Sequence, residues 1–584
     1  MVPFAAWTMS HQESAMSFWF LPGMRKGVPM GQRETELAAL PGEDVGPRPR
    51  FVDGPGILRG LARTMLEFGG VLLLAAPFFW LTARNYLRLD LWFDEILSLR
   101  RYILVPFMKT VTDYSSTNNH VFFNMLTRKA LRLFGFRKLF PLLEEPWVLR
   151  SLMLVVSTTT LLVVYLVCRR FFGRSMGVLA TVILATTVPF YNFAVQVRGY
   201  TLSMLLLCLL LFFVWSLEER LSVAMAAGAT IVSAMMVYTI PLNLYPLGAV
   251  ITCQGAFLIA HLIGRGSSPG ESDRSWRTPF VIILSCAAGI GIAALLYLPL
   301  YSGMAKSRYL RPYTDFNTGV LFVMMPEIMR HFLSGRWALL LGLPFGIGAA
   351  TQQARKGGGA ALLKKYLLLC ALLLLPFLFS FLRRDRVFER IFVNLAPVAA
   401  LLLALNWHLA FGSIHKARKA ISLILMVGIW AYSATQFATE VARKDRFLLE
   451  QANSTTIERK WDTLYGGYYQ AGYRPREIVR LTKDFLARHH TPLPVFLAGE
   501  LDSAVIPSDF LDNAGIEYQD LRQTKPQDYP AFCEALFLVT HPQLFDIFVK
   551  QQLPGTRCLM VNAEAMLANL YFCWQAPRST VPDP

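Results

Sequence analysis

Between Phe68 and Phe437 the chain repeats one pattern: a long apolar run, then a polar or basic connection. The runs are Phe68–Leu81, Leu149–Val167, Met176–Phe193, Thr201–Trp215, Val223–Tyr238 and Leu242–Ile263. Phe280–Leu300, Trp337–Ala350, Tyr366–Phe381, Ile391–Phe411 and Ile421–Phe437 follow. Lipid offers no hydrogen bonds, so each run must satisfy its own backbone, and helices do this within one segment. The runs lack the dyad alternation of a membrane barrel. They predict an α-helical polytopic membrane protein with about eleven transmembrane helices. Composition agrees: 54% of residues are hydrophobic and only 16% charged, well below the charge content of soluble domains. The net charge of +18 then points to basic loops beside anionic headgroups, and to a phosphorylated ligand, rather than to nucleic acid.

Residues 1–63, rich in Gly, Pro and Arg, read as a largely disordered cytoplasmic tail, with no apolar stretch of the kind a cleaved signal peptide needs. Residues 64–437 form the membrane domain. Lys and Arg in alternate connections set its orientation. Arg169–Arg174, Arg265–Arg277, Arg355–Lys365 and His415–Lys419 go to the cytoplasm with the tail. The loop 84–150, the shorter outward loops and everything after Ala438 then face outward. Residues 438–584 change character: charge rises and apolar runs shorten. Helical patterns at Arg476–Arg488, Ser508–Ala514 and Gln543–Gln551 alternate with strand patterns at Pro494–Ala498, Ala535–Val539 and Cys558–Val561. This predicts a small extracytoplasmic α/β domain. Its three cysteines, Cys533, Cys558 and Cys573, allow one disulfide and a free thiol. None of the cysteines has zinc-site spacing.

Two stretches of the first outward loop stand out. His120–Phe134 is amphipathic at helical spacing, with Val121, Phe122, Met125, Leu126 and Leu133 on one face and Arg128, Lys129 and Arg132 off it. It suggests a helix lying in the membrane interface, with Arg100–Lys109 as a second. Before it, Leu91-Trp92-Phe93-Asp94-Glu95-Ile96-Leu97 sets adjacent carboxylates among aromatic and aliphatic residues at a bilayer edge. Acids there are costly without partners or a task. The structural alternative is a helix start, with Asp94 as N-cap and Glu95 in the first turn. The short outward loop 382–390 is dense in charge, against the positive-inside trend, and a phosphate-bearing ligand at the outer face would account for it.

Four segments in this order bring a family into view. They are Trp92-Phe93-Asp94-Glu95, Asn118-Asn119-His120-Val121-Phe122-Phe123, Gln196-Val197-Arg198-Gly199-Tyr200 and Arg390-Ile391-Phe392-Val393-Asn394-Leu395-Ala396-Pro397. Over about 68–437 the chain resembles the GT-C glycosyltransferases, specifically the group of aminoarabinose transferases and protein O-mannosyltransferases (glycosyltransferase family 39-like). The resemblance implies a GT-C membrane fold in a bacterial inner membrane. It implies an inverting transfer of sugar from a polyprenyl-phosphate donor to an extracytoplasmic lipid, protein or polysaccharide. Asp94 is then the catalytic carboxylate, with Glu95 beside it. Arg390, Arg386, Arg384, Arg383, Lys306 and Arg308 are candidates for the donor phosphate, and Arg suits bidentate phosphate binding. Asn118, Asn119, His120, Gln196, Arg198 and Tyr200 are candidates for substrate contact. The resemblance fixes no cofactor and leaves a divalent metal ion open, which would sit at Asp94. Gln196 stands where relatives often carry an acid, which weakens the case for a two-carboxylate metal site.

Two other readings stay open on the sequence alone. A transporter or flippase of a lipid-linked or anionic substrate would carry charges inside its helices and an internal repeat. A glycan polymerase or ligase would use a polyprenyl-diphosphate donor instead.

Overall fold

The computed structural model describes residues 54–264, 276–306, 318–333, 360–384, 389–417, 427–442 and 474–575, with short gaps inside the last two stretches and at 117. Residues 63–584 form one compact unit. Within it, Trp147–Phe172, Tyr200–Glu219, Pro241–Ile263, Arg277–Lys306, Ala360–Arg383 and Arg390–Leu409 are helical segments long and apolar enough to cross a membrane. Thr64–Leu74 and Ala76–Tyr86 make one more if taken as a single span bent by 61°. The bend has a cause in the sequence. Pro77 sits in the first turn of the second piece, where it cannot continue the hydrogen-bond ladder of the first. Arg174–Ala185 and Val223–Thr239 are apolar but shorter. This is a multi-pass membrane protein. The expected runs at Trp337–Ala350 and in the first part of Ile421–Phe437 lie outside the described residues.

Small residues set how closely the spans pack. A Cβ on Gly289 would lie 2.5 Å from both Ser233 Cβ and the Thr230 carbonyl. Helices Val223–Thr239 and Arg277–Tyr297 can therefore touch backbone to side chain only because position 289 is bare. The charged groups collect at the helix ends. Arg169 and Arg174 pair with Glu67 at 3.4 and 3.3 Å, Arg170 pairs with Glu219 at 3.0 Å, and Lys365 lies 4.0 Å from Glu219. Two of the connections expected in the cytoplasm, Arg169–Arg174 and the Lys365 end of Arg355–Lys365, thus meet at one end of the bundle.

The C-terminal part forms a five-stranded sheet in the order β2-β1-β3-β5-β4. The strands are β1 Val495–Ala498, β2 Gln519–Asp520, β3 Glu534–Val539, β4 Thr556–Met560 and β5 Asn569–Gln575. β1 runs parallel to β2 and β3, whereas β5 runs antiparallel to β3 and β4. Alternate residues divide between two cores, as the two-residue period of a strand requires. Val495, Leu497, Leu536 and Leu538 belong to the same core as Ile478 and Val479 of helix Pro475–Arg488 and Phe510 of helix Ser508–Ala514. Phe496, Phe537 and Val539 form a second core with Phe532 and Phe545. Cys558 and Cys573, register partners on β4 and β5, form a disulfide, and Cys533 stays free and exposed.

This domain is held to the first loop by polar contacts. The Arg476 guanidinium and backbone N–H both donate to the Asp90 carboxylate, and Arg476 also donates to the Arg88 carbonyl at 2.9 Å. Arg100 pairs with Asp509 at 3.3 Å, and the Asn513 amide donates to Glu144.

Candidate functional site

The helical turn Phe93–Ser98 starts with Trp92, not Asp94, at the N-cap. Glu95 supplies the usual back-bond of an N-terminal box: its Oε2 accepts the Trp92 N–H at 2.9 Å. Successive helical residues are rotated by about 100°, so the two acids leave the turn in different directions.

Glu95, expected at the site with Asp94, faces the core. Its carboxylate lies 3.2 Å from Arg150 and accepts the Val197 N–H at 2.8 Å, and both side chains of the ion pair are sealed from solvent. Arg150 donates its remaining N–H groups to the carbonyls of Leu89, Asp90 and Val195. A buried pair is tolerable only when satisfied in this way. Through it the first turn is fixed to the helix Trp147–Phe172 and to the turn before Arg198. The sequence offers little sign of Arg150 beyond a charge in the first turn of an apolar helix.

Asp94 faces the open side. Its Oδ1 accepts the Asn118 amide at 2.7 Å, while Oδ2 lies 3.4 Å from both Arg198 and Arg390. Arg390 is 296 residues away along the chain. The side chains of Asp94 and Arg390 keep 19% and 20% of their exposure, and Arg198 only 4%, so an incoming anion meets Arg390 before Arg198. Burial alone would favour the neutral acid. The Arg198 and Arg390 guanidiniums and the Asn118 amide together outweigh it and hold the Asp94 carboxyl below its ordinary range.

Neutral hydrogen bonds place both arginines. Asn394, four residues after Arg390, donates to Asn243 Oδ1 at 2.7 Å, and the Asn243 amide donates to Ser203 at 2.9 Å. Ser203 lies on the helix Tyr200–Glu219 that opens just after Arg198. The segment bearing Arg390 is thereby tied to the segment bearing Arg198. His120 secures the other side, where its Nδ1 accepts the Gly199 N–H at 2.9 Å. That bond leaves the ring proton on Nε2. Burial, and after it the two guanidinium charges, push the imidazole well below its ordinary 6.5, so His120 is neutral. Gly199 has no room for a side chain: a Cβ there would lie 2.8 Å from Thr239 Cγ2 and 3.0 Å from His120 Nδ1.

The other expected residues divide. Tyr200 is buried, packing edge-on against His120 with the Arg198 guanidinium 5.7 Å above its ring. The Asn119 amide donates to the carbonyls of Thr110 and Asp113, and that of Gln196 to Asn192. Both are buried and serve the loop's own backbone. Lys306 is exposed at the end of helix Tyr301–Lys306. Arg383 ends the helix Ala360–Arg383, and Arg384 after it takes a φ of 61°, costly for any residue but glycine. Arg386 and Arg308 lie outside the described residues.

The amphipathic helix is present at Val121–Leu133. It buries Asn124, Thr127 and Arg128 with Val121, Phe123 and Leu131, and exposes Leu126 and Leu133. Arg128 donates to the Ile103 carbonyl at 3.3 Å. A helix with polar groups inward and Leu126 and Leu133 outward suits a surrounding of lipid rather than water, as a helix in the membrane interface needs, although Val121 of the expected apolar face is buried. The second expected helix is a π-turn at Leu99–Ile103 followed by Phe107–Thr112.

The donor set at Asp94 does not suit a divalent cation. One carboxylate oxygen already faces two guanidiniums and the other an amide donor. Among the described residues no group of three or more His, Cys, Asp or Glu side chains could hold a metal ion. The arrangement suits an anion instead: two guanidiniums held together, with a carboxylate between them that an anion would displace.

Fold and site together define a multi-pass membrane protein with an acid–arginine centre at one end of its helix bundle and a small α/β domain at the same end. No protein-family model and no curated protein sequence matches the chain. Among solved structures it is similar to ArnT, the aminoarabinose transferase of Cupriavidus metallidurans, in the apo state. The identity is 13% and the TM-score 0.47, over 86% of this chain and 98% of that one. The same enzyme bound to undecaprenyl phosphate gives 13% identity and a TM-score of 0.44 over the same shares. The oligosaccharyltransferase AglB from Archaeoglobus fulgidus, in complex with an inhibitory peptide and a dolichol-phosphate, gives 12% and 0.42, over 84% of this chain and 70% of that one. These enzymes are GT-C glycosyltransferases, the superfamily whose motifs the sequence resembles.

Proposed function

We propose that the chain is a membrane glycosyltransferase that moves a sugar from a polyprenyl-phosphate donor to an acceptor outside the cytoplasm, with inversion, and that Asp94 is its catalytic carboxylate. One observation carries this reading: a half-open carboxylate bridged to two arginines from distant segments, Arg198 and Arg390. The choice of carrier follows the resemblance of the four motifs. The disulfide Cys558–Cys573 supports an oxidising compartment for the C-terminal domain.

The geometry suggests how donor binding prepares the base. Asp94 with its acidity enhanced is a weak proton acceptor. A donor phosphate entering from the open side competes for Arg390 first, being the more exposed of the pair. As guanidinium contacts pass from carboxylate to phosphate, Asp94 loses its stabilising charges and becomes more basic. The acceptor hydroxyl then attacks the anomeric carbon from the face opposite the phosphate, and its proton passes to Asp94. The bond from the anomeric carbon to the phosphate oxygen breaks, and the electron pair leaves with polyprenyl phosphate, whose new charge Arg390 and Arg198 neutralise. Glu95 and Arg150 act as positioning residues.

The test is transfer by purified protein in lipid nanodiscs, given a polyprenyl-phosphate sugar. Asp94→Asn should cut product by ~10²–10⁴-fold while leaving the protein folded and monodisperse, with only a modest fall in unfolding temperature from the lost ion contacts. Turnover equal to the parent protein in that variant would defeat the assignment.

A further inference from the structure

A separate cleft opens where the end of the bent helix pair meets the C-terminal domain. Its volume is about 930 Å³, within the range of small-ligand pockets, and twice as many cationic as acidic side chains line it. The imbalance is larger than the count suggests, because the acids are engaged. Asp90 is held by Arg476, Glu144 accepts from Asn513, and Glu477 pairs with Arg474 at 3.3 Å. Arg88, Arg480 and Lys483 make no ion pair among the described residues, and all three are exposed. Arg480 and Lys483 are three apart on helix Pro475–Arg488 and so share one face. Arg84 and Arg88 line the cleft from the end of the membrane helix.

The depth of the cleft in the membrane can be read from Trp80. It is 60% exposed on a helix whose first six residues are apolar, with the Arg84 guanidinium 5.3 Å from its ring centre. A Trp–Arg pair at the end of a span marks the headgroup layer. A cleft at that depth would set its basic walls level with lipid phosphates.

We propose that this cleft binds the phosphate-bearing headgroup of a membrane lipid, with Arg480 and Lys483 from the C-terminal domain and Arg84 and Arg88 from the membrane helix as its cationic walls. Binding there would couple the two parts of the molecule through a shared anion, alongside the Asp90–Arg476 contact. The inference uses no residue of the Asp94 centre and stands apart from the proposed reaction.

The test uses the full chain in nanodiscs or mild detergent, with native mass spectrometry of retained lipid and thermal unfolding as readouts. Phosphatidylglycerol should be retained and should raise the unfolding temperature relative to phosphatidylcholine, and the advantage should shrink as salt rises. The double variant Arg480→Gln with Lys483→Gln should weaken that retention about tenfold or more. The charge-conserving exchange Arg480→Lys with Lys483→Arg should keep most of it, which separates loss of charge from loss of fold. No preference for the anionic lipid in the parent protein would overturn the proposal, as would equal retention by the Gln variant. Stabilisation by inorganic phosphate but not by phosphatidylglycerol would also overturn it, because the ligand would then be a soluble anion.

Discussion

Asp94 and Glu95 are neighbours in sequence, yet they anchor two different centres. On the inner side, Glu95 and Arg150 form a sealed pair whose donors and acceptors close on one another and on backbone. On the outer side, Asp94 shares two arginines at 3.4 Å each and keeps part of its surface open. Burial separates the roles. A sealed ion pair has nothing to offer a ligand, and its geometry fixes the loop. The open cluster has loose contacts that an anion can replace. The first helical turn is thus a rigid base with a reactive outer face, and each substitution below acts on one side of that division.

The largest effect belongs to the outer side. Asp94→Asn keeps the shape and can still accept one hydrogen bond, but it removes the charge and the proton acceptor. Transfer should fall by ~10²–10⁴-fold, the usual contribution of a positioned base. Donor affinity should hold or improve, because Arg390 no longer has a competing carboxylate. A single-turnover assay with donor titration reads both quantities, and a loss of donor binding equal to the loss of rate would place Asp94 in binding rather than chemistry.

On the inner side the same exchange should act through the fold. Glu95→Gln leaves Arg150 charged and buried without its partner, a change that costs about 3–5 kcal/mol in comparable sites. The expected result is a lower unfolding temperature and a poor yield of monodisperse protein. The fraction that folds should retain most of its turnover per molecule. A stable Glu95→Gln protein with no activity would break the comparison and bring Glu95 back to the chemistry.

A smaller, sharper contrast comes from Arg390→Lys. Lys keeps the charge but loses the planar fork that grips a phosphate. KM for the donor should rise about tenfold with a smaller change in kcat. Stability should barely move, because the Asn394–Asn243–Ser203 bonds hold this segment independently of the guanidinium.

The sequence carried the architecture well where one physical pattern dominated. Long apolar runs mark the spans, and short continuous apolar runs mark β1 and β3, whose residues are buried on both faces. β5, Asn569-Leu570-Tyr571-Phe572-Cys573-Trp574-Gln575, is the longest of the five strands yet is not legible, because polar ends bracket its apolar run and its role depends on pairing with both β3 and β4. Of the site, Asp94, Arg198 and Arg390 were visible as motifs, and Asn118 came with them. Arg150 and Arg476 were not. A lone arginine in a basic stretch looks like any headgroup anchor, and only folding shows that one is buried on Glu95 and the other clasped to Asp90. The helix at Val121–Leu133 is legible from its apolar period, but not which polar residues it turns inward, because Asn124 and Arg128 are buried on partners that only the folded loop supplies.

The finest distinction between the two sides concerns pH. On the outer side, Asp94 titrates below the 3.8 of a free carboxyl, so its stabilising contacts are complete above that value and fade as pH falls through the lower folded one. His120, bonded to Gly199 beside Arg198, has a folded value well below the 6.5 of the free imidazole. Below pH 6.5 the unfolded chain takes up a proton that the folded chain refuses. The stability linked to His120 is therefore complete above 6.5 and declines as pH falls toward its folded value. Between about pH 6.5 and 4.5 the loss should come from His120 and not from Asp94. Unfolding temperature measured across this window should fall in the parent protein and flatten in His120→Asn, whose amide oxygen can still accept the Gly199 N–H. A parent protein indifferent to pH over that range would mean that the imidazole takes its proton in place. Its Nδ1 would then be a donor, the bond to Gly199 would be lost, and the turn that carries Arg198 would have to be held by something else.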